Sequence, residues 1–282
     1  METQGELVGF EPSAASATVG LLLLLASVAL FPLGRALSAR IFPGRQVFFA
    51  RWGFFHLGLA IFFYFALTLA AGFALQAAGV QLGGGLAPIL LGAGLQIATV
   101  LLVASFARRL DPDGVACLGL RTERVPSSLA VGALAYALAL PAIMGSMLCS
   151  AWLWDALGVE AKPQEVLKLV LELQGAERAV FVALAVIVIP LCEELFFRGF
   201  AQPLLVQNLG DRGGVFATAI LFAAVHGNLV AFFPIFTLAL VLGMVMLRTQ
   251  RIAAAWLVHA LHNGLVIGLI LGSEWARRLA GG

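Results

Sequence analysis

Long apolar runs, each near the length of a membrane-crossing helix, alternate with short charged connections along this chain. A helix needs about 20 apolar residues to cross the hydrocarbon core of a bilayer, and eight runs qualify. They lie at 17–34, 52–76, 84–106, 127–154, 179–199, 214–232, 234–248 and 252–272. The pattern predicts an all-α fold, a polytopic membrane protein with a bundle of about eight transmembrane helices. The seventh run is short and adjoins the sixth near Pro234, so seven helices are the alternative.

Arginines concentrate in the connections that follow the odd-numbered runs. Examples are Arg35 and Arg40 after the first, Arg108 and Arg109 after the third, and Arg251 after the seventh. With eight helices these connections share one side, which the positive-inside tendency makes cytoplasmic, and both termini lie outside. The N-terminal stretch METQGELVGFEPSAAS has no Lys or Arg. Because a cleaved signal peptide needs a basic start, we expect the first helix to remain in the mature protein.

Composition agrees with a membrane protein and excludes other classes. Of the 282 residues, 61% are hydrophobic and 11% are charged, and the mean hydropathy is +1.01. The net charge of +2 comes without a basic block, so no nucleic-acid partner is expected. The three cysteines show no CxxC spacing, which indicates neither a disulfide framework nor a thiolate metal site.

Ionisable side chains inside the predicted spans are few, and such residues are functional candidates because they are costly in hydrocarbon. Glu193 and Glu194 are the carboxylates that fall inside a span. Glu194 and Arg198 are four residues apart, so they share a helix face and are predicted to form an ion pair. Glu193 points about 100° away and remains free for another partner. The alternative is a polar helix end that meets the lipid headgroups. Pro190 lies one turn before Glu194 and is expected to kink the helix there.

The sixth and eighth spans carry histidines. The stretch LFAAVHGN puts Phe222 and His226 on one helix face, and WLVHALHNG puts His259 and Asn263 four residues apart. His226 taken alone is better explained as a hydrogen-bonded packing residue. A carboxylate, two histidines and an amide on three helices can nevertheless converge in a bundle, where they could activate a water and stabilise an oxyanion.

Three short motifs follow one another on successive late spans: Glu193-Glu194-x-x-x-Arg198, Phe222-x-x-x-His226 and His259-x-x-x-Asn263. With these motifs the sequence resembles the CAAX-protease and bacteriocin-processing family of intramembrane endopeptidases, which includes the type II CAAX prenyl endopeptidases. The resemblance covers about residues 178–272. Each motif is weak alone, whereas all three in this order within membrane segments are specific.

The resemblance implies a division of roles among four catalytic residues. Glu193 would activate the hydrolytic water with help from His226, and His259 and Asn263 would bind the developing oxyanion. The expected activity is hydrolysis of peptide bonds in membrane-associated proteins or peptides.

Other residues near the motifs would support the site. The resemblance implies supporting roles for Glu194 and Arg198. His262 lies outside the motifs, so it is a candidate for contact with the catalytic residues, for contact with substrate, or for packing. Phe222 is a candidate for the layer around the catalytic residues.

A metal-dependent mechanism is the nearest alternative. Members of this family have also been described as metalloproteases, and Glu193, His226 and His259 would supply a two-His, one-carboxylate site. The chain has no HExxH helix, and Asn263 suits an oxyanion donor better than a ligand. We therefore favour a glutamate-type peptidase without a cofactor, with a zinc-dependent version as the alternative.

Other chemistries fit less well. Ser146 follows a glycine in a helix, where such pairs usually serve close packing, and the Cys192 thiol is expected to be protonated in hydrocarbon. A non-enzymatic transporter or binding protein could use Glu193 and the histidines as a proton relay. A transporter would be expected to show matched halves with broken helices, and no such repeat is visible.

The chain is expected to form one membrane domain. Its parts are a short extramembrane N-terminus, N-terminal helices plus an interfacial helix, the catalytic CAAX-protease-like core and a C-terminal tail, at 1–16, 17–177, 178–272 and 273–282. Trp52 and Trp256 are expected to anchor their helices at the interface. The expected partners are the lipid bilayer and a membrane-associated substrate. The Arg- and Ala-rich composition favours a prokaryotic cytoplasmic membrane.

Overall fold

The structure is a computed structural model that describes residues 12–42, 49–83, 85–159 and 165–280. The regular elements of these residues are all helical, so the all-α prediction is confirmed. Residues 1–11 of the predicted extramembrane N-terminus lie outside the described residues. The same holds for residues 160–164, where the predicted interfacial helix begins, and for residues 281–282 of the predicted tail.

The helices occur in three groups along the chain. The first group is α1 Ala14–Ile41, α2 Phe54–Ala77, α3 Leu86–Leu110, a 3₁₀ turn Gly114–Leu118, α4 Val125–Ala156 and α5 Glu165–Glu172. A continuous helical segment follows and consists of α6 Gly175–Ala183, a first π segment Leu184–Val188, α7 Ile189–Glu194, a second π segment Leu195–Ala201 and α8 Gln202–Val225. The last group is α9 Phe232–Thr249 and α10 Ile252–Ala280.

Within the described residues, seven helical stretches are long and apolar enough to cross a membrane, and the fifth of them is unusually long. This stretch, Gly175–Val225, has 51 residues, more than two crossings of about 20 residues each would need. At Gly210 the backbone leaves the helical conformation, with φ 73° and ψ 171°. A Cβ atom on Gly214 would lie 2.4 Å from the backbone N of Val206, which a straight helix does not allow for residues eight apart. The chain therefore reverses near Gly210, so this one stretch includes parts of both the fifth and the sixth predicted span.

One predicted boundary is wrong, and the backbone explains why. The sixth span was expected to reach residue 232, but α8 ends at Val225 because Gly227 takes the left-handed conformation with φ 61°, which stops a helix. The predicted C-terminal tail, 273–282, is helical where it is described, since α10 continues to Ala280. That stretch contains neither Gly nor Pro, so nothing in it interrupts the helix.

Helix α4 lies at the centre of the described bundle, against α1, α9 and α10. Its contact with α10 is close, because a Cβ atom on Gly132 would lie 2.5 Å from the carbonyl oxygen of Ala254. Such small-residue contacts let membrane helices approach backbone to backbone. Helix α10, which carries His259, is therefore packed directly on the central helix.

Burial distinguishes the outer helices from the inner ones. Only 11% of the most apolar window of α1 and of α2 is buried, against 39% in each of the last three long helical stretches. Lipid-facing helices keep apolar surface exposed to the bilayer, whereas interior helices pack it away. The helices that carry the sequence motifs thus form the interior of the described bundle.

Candidate active site

A buried polar cluster joins the Glu-Glu motif to helix α10. The Arg198 guanidinium donates to Glu194 Oε1 over 3.1 Å, and both side chains are fully buried, at 0% exposure. The predicted ion pair is therefore present. His259 Nδ1 lies 2.9 Å from the same Glu194 oxygen. Because an ionised carboxylate only accepts hydrogen bonds, Nδ1 is the donor in this contact.

Glu193 occupies a different environment from its neighbour. Its side chain is 20% exposed, and its Oε2 lies 3.6 Å from His259 Nε2. The His259 ring thus stands between the two glutamates, with one nitrogen directed at each. Glu194 is fully buried, whereas Glu193 is partly exposed, so of the two carboxylates Glu193 is the one that a molecule outside the bundle can contact.

The two π segments flank the short helix that carries both glutamates. Leu184–Val188 precedes α7 and Leu195–Ala201 follows it. A π turn bonds residue i to i+5 and so inserts about one extra residue, which rotates the following side chains by roughly 100° relative to a continuous α-helix. Such insertions recur at functional sites. The disturbance expected at Pro190 takes this form, because the first π segment ends just before it.

Phe222 connects the glutamate helix with both histidines. Its ring is buried and lies 4.8 Å from the His226 ring and 5.7 Å from the His259 ring, between centroids. The Arg198 guanidinium carbon sits 4.3 Å from the Phe222 centroid, a distance suited to a cation–π contact. Phe222 therefore holds the arginine and both imidazoles in one arrangement.

His226 follows the end of α8 and belongs to the loop before α9. Its Nδ1 lies 2.7 Å from the Phe222 carbonyl oxygen, so Nδ1 is the donor and Nε2 is left as an acceptor. The loop is fixed by the buried Ser150 hydroxyl, which donates to the Val230 carbonyl over 2.7 Å. His226 is exposed, and no hydrogen bond or ion pair joins it to Glu193 in the described part of the chain.

Asn263 is placed one turn beyond His259 on α10. Its side-chain amide donates to the Ala185 carbonyl oxygen over 2.8 Å. An amide nitrogen carries two N–H groups, so one remains for another acceptor. The predicted oxyanion donor is therefore also a tether between α10 and the first π segment.

His262 faces away from the glutamates and toward α4. Its ring lies edge-on to Tyr136, with 6.2 Å between centroids. Both His262 Nδ1 and the Tyr136 hydroxyl are buried without a hydrogen-bond partner. Tyr136 was not predicted from the sequence, because a lone tyrosine in an apolar helix has no distinctive spacing.

The two tryptophans expected to be interfacial anchors donate hydrogen bonds within the bundle. Trp52 is buried, stacks on Phe200 at 4.9 Å and donates its indole N–H to the Phe200 carbonyl oxygen over 2.9 Å. Trp256 donates its indole N–H to the Ile187 carbonyl oxygen over 3.0 Å. Both acceptors lie in π segments. Trp has a large apolar body and one donor, so an interior carbonyl satisfies it as well as a headgroup does.

The arrangement does not form a ready-made metal site. Within the residues that the structure describes, no group of three or more His, Cys, Asp or Glu side chains is placed to hold a metal ion. The set considered from the sequence, Glu193, His226 and His259, is thus not gathered as a ligand triad. His259 contacts Glu193, while His226 is connected to them only through Phe222.

Residues 175–265 match the family model described as Type II CAAX prenyl endopeptidase Rce1-like. The resemblance to this family of membrane proteases is confirmed over that segment. The match covers about a third of the 282 residues and includes every candidate site residue from Glu193 to Asn263. Comparison with curated proteins and with solved structures found no significant match.

Proposed function

We propose that this integral membrane protein is an intramembrane endopeptidase that hydrolyses peptide bonds of membrane-associated substrates with a glutamate-activated water. One observation carries the proposal. Of two adjacent carboxylates, Glu194 is neutralised by Arg198 and bonded to His259, while Glu193 is accessible and faces the second nitrogen of the same histidine. The family match supports a protease in general.

The reaction requires a base, an oxyanion site and a proton donor. In the proposed mechanism Glu193 accepts a proton from water, and the water oxygen attacks the peptide carbonyl carbon. The resulting oxyanion accepts hydrogen bonds from the unused N–H of Asn263 and from Nε2 of His259, which in this proposal carries a proton on both ring nitrogens because Nδ1 donates to Glu194. The C–N bond then breaks, the proton passes from Glu193 to the leaving nitrogen, and a carboxylic acid and an amine leave.

His226 supports the base in this proposal. With Nδ1 bonded to the Phe222 carbonyl, its Nε2 can accept a hydrogen bond from the attacking water. The water would bridge His226 and Glu193, which are not in direct contact. No step is routed through a metal ion, since the described carboxylates and histidines are not gathered as ligands. We propose the metal-free version over the zinc-dependent one.

Substrate class follows from the setting of the site. Glu193 and His259 lie on helices within the bundle, so a substrate has to present its peptide bond at membrane depth. We propose a membrane-anchored protein or peptide cleaved near the cytoplasmic face of a prokaryotic membrane. Prenylated C-termini, bacteriocin or pheromone precursors and C-terminal sorting anchors all have this character.

The test is cleavage of a panel of membrane-anchored peptides by the purified protein in lipid vesicles. We expect Glu193→Gln to reduce kcat by about 10²–10⁴-fold. Asp155→Asn removes a carboxylate charge at the exposed end of α4 and is expected to leave kcat unchanged. Cleavage retained by Glu193→Gln would contradict Glu193 as the base, and no cleavage of any peptide by the unaltered protein would favour a transporter or binding protein. Stoichiometric zinc whose chelation abolishes cleavage would contradict the metal-free version.

A further inference from the structure

Helix α10 is attached to the first π segment by two side chains that bracket His259. Trp256, three residues before His259, donates to the Ile187 carbonyl oxygen over 3.0 Å. Asn263, four residues after it, donates to the Ala185 carbonyl oxygen over 2.8 Å. Seven residues are two helical turns, so both donors lie on one side of α10, about 10 Å apart along its axis.

The π segment explains why a carbonyl is free to accept such a bond. In a π turn the carbonyl of residue i bonds the N–H of residue i+5, as Leu184 does with Ile189. The next carbonyl, that of Ala185, would need the N–H of residue 190. That residue is Pro190, which has no N–H. Ala185 is thus left with an unpaired carbonyl inside the membrane domain, and the Asn263 amide satisfies it.

We infer that Trp256 is a positioning residue for His259, an inference that rests on the proposed peptidase function. The His259 contacts depend on where α10 sits, since Nδ1 must reach Glu194 at 2.9 Å while Nε2 stays 3.6 Å from Glu193. Asn263 fixes one side of His259 and is itself a catalytic candidate. Trp256 fixes the other side, and within the described residues no hydrogen bond, ion pair or ring contact joins it to Glu193, His226 or His259, so its effect acts through the position of His259.

The consequence for catalysis is specific. Without the Trp256 hydrogen bond, Asn263 remains as the tether between α10 and the first π segment, and it follows His259. The part of α10 that precedes His259 can then rotate or slide. A substrate would still bind, because the groups that recognise it are untouched. The oxyanion contact, which is needed only in the transition state, would be less well placed. A loss of this kind lowers kcat and leaves KM nearly unchanged.

The chain offers a matched control. Trp52 also donates its indole N–H to a π-segment carbonyl, that of Phe200 over 2.9 Å, but this acceptor lies in the second π segment, which follows the glutamates in the chain, and not in the segment that Trp256 and Asn263 bond. Trp256→Phe and Trp52→Phe therefore remove the same group from the two π segments. Because phenylalanine keeps an aromatic ring at each site, the comparison isolates the indole hydrogen bond.

The experiment measures kcat and KM of both variants in vesicles, with the peptide that the unaltered protein cleaves best. We expect Trp256→Phe to lower kcat about three- to tenfold, the size of one lost hydrogen bond, with KM unchanged. We expect Trp52→Phe to keep kcat within about twofold. Equal kcat values for the two variants would overturn the inference.

Hydrogen exchange supplies a readout that does not need activity. We expect Trp256→Phe to raise exchange of the backbone amides at 256–263, and Trp52→Phe to leave them unchanged. Should the unaltered protein cleave nothing, the proposed function fails, and the exchange result still decides the positioning role. Should Trp256→Phe not fold, a benzothiophene analogue of tryptophan at position 256 replaces the N–H by sulfur and keeps the shape. Unchanged exchange in the folded variant would overturn the inference.

Discussion

The buried Glu194–Arg198 pair leads to a quantitative prediction about stability. Both side chains are fully buried, and their charged groups are 3.1 Å apart. Replacing Arg198 by Met removes the guanidinium and leaves the Glu194 carboxylate with His259 as its remaining partner. Breaking a buried ion pair from one side costs about 3–5 kcal/mol, because a charge remains uncompensated. We expect Arg198→Met to lower the free energy of unfolding by that amount.

A double-mutant cycle with Glu194 tests whether the uncompensated charge is the cause of this loss. Glu194→Gln removes the negative charge while its carbonyl oxygen can still accept from His259, so Arg198 becomes the uncompensated charge. The double variant has neither charge. We therefore expect it to be more stable than the sum of the two single losses predicts, by at least about 2 kcal/mol.

The assay is reversible unfolding in mixed micelles, followed by tryptophan fluorescence. A pair on the surface provides the comparison, since Arg121 and Asp113 are 3.4 Å apart with side chains 42% and 64% exposed. Exposed pairs of this kind contribute at most about 1 kcal/mol. A coupling energy for Glu194 and Arg198 no larger than that of the surface pair would refute the reasoning.

Two further comparisons use matched variants. Ser150→Ala removes the hydroxyl that holds the loop carrying His226, so we expect kcat to fall about three- to tenfold. The Ser146 hydroxyl bonds within its own helix, so we expect Ser146→Ala to leave kcat unchanged; equal kcat values for the two variants would contradict this. Gly214→Ala places a Cβ atom 2.4 Å from the backbone of Val206 and should lower the free energy of unfolding by about 1–3 kcal/mol. The Cβ atom of Gly268→Ala meets nothing within 4 Å, so this variant should be as stable as the unaltered protein. Equal unfolding midpoints for the two variants would count against the chain reversal near Gly210.

The sequence predicts those parts of the fold that depend on local chemistry. Apolar runs of membrane-spanning length identify the helices, since the bilayer imposes both length and polarity. The Glu194–Arg198 pair is likewise local, because four residues are one helical turn. The end of α8 was misplaced because Gly227 sits inside an otherwise apolar run, and hydropathy does not register a left-handed residue.

Contacts between helices were harder to predict. The bond from His259 to Glu194 joins residues 65 positions apart, and its existence depends on the rotation and depth of α7 relative to α10. The two π segments set that rotation. Leu184–Val188 is wholly apolar and Leu195–Ala201 contains Arg198, and neither has a sequence pattern that predicts a π turn. The same limit explains Trp52 and Trp256, whose acceptors are backbone carbonyls of the two π segments.

The double role of Asn263 narrows where the reacting carbonyl can lie. One of its N–H groups is engaged by Ala185, so an oxyanion has to lie along the direction of the other. It has also to reach Nε2 of His259, which is 3.6 Å from Glu193. A water held by Glu193 would then attack from the opposite side of that carbonyl. The π segment that frees the Ala185 carbonyl therefore contributes to the proposed site twice, by rotating the glutamates and by orienting the amide.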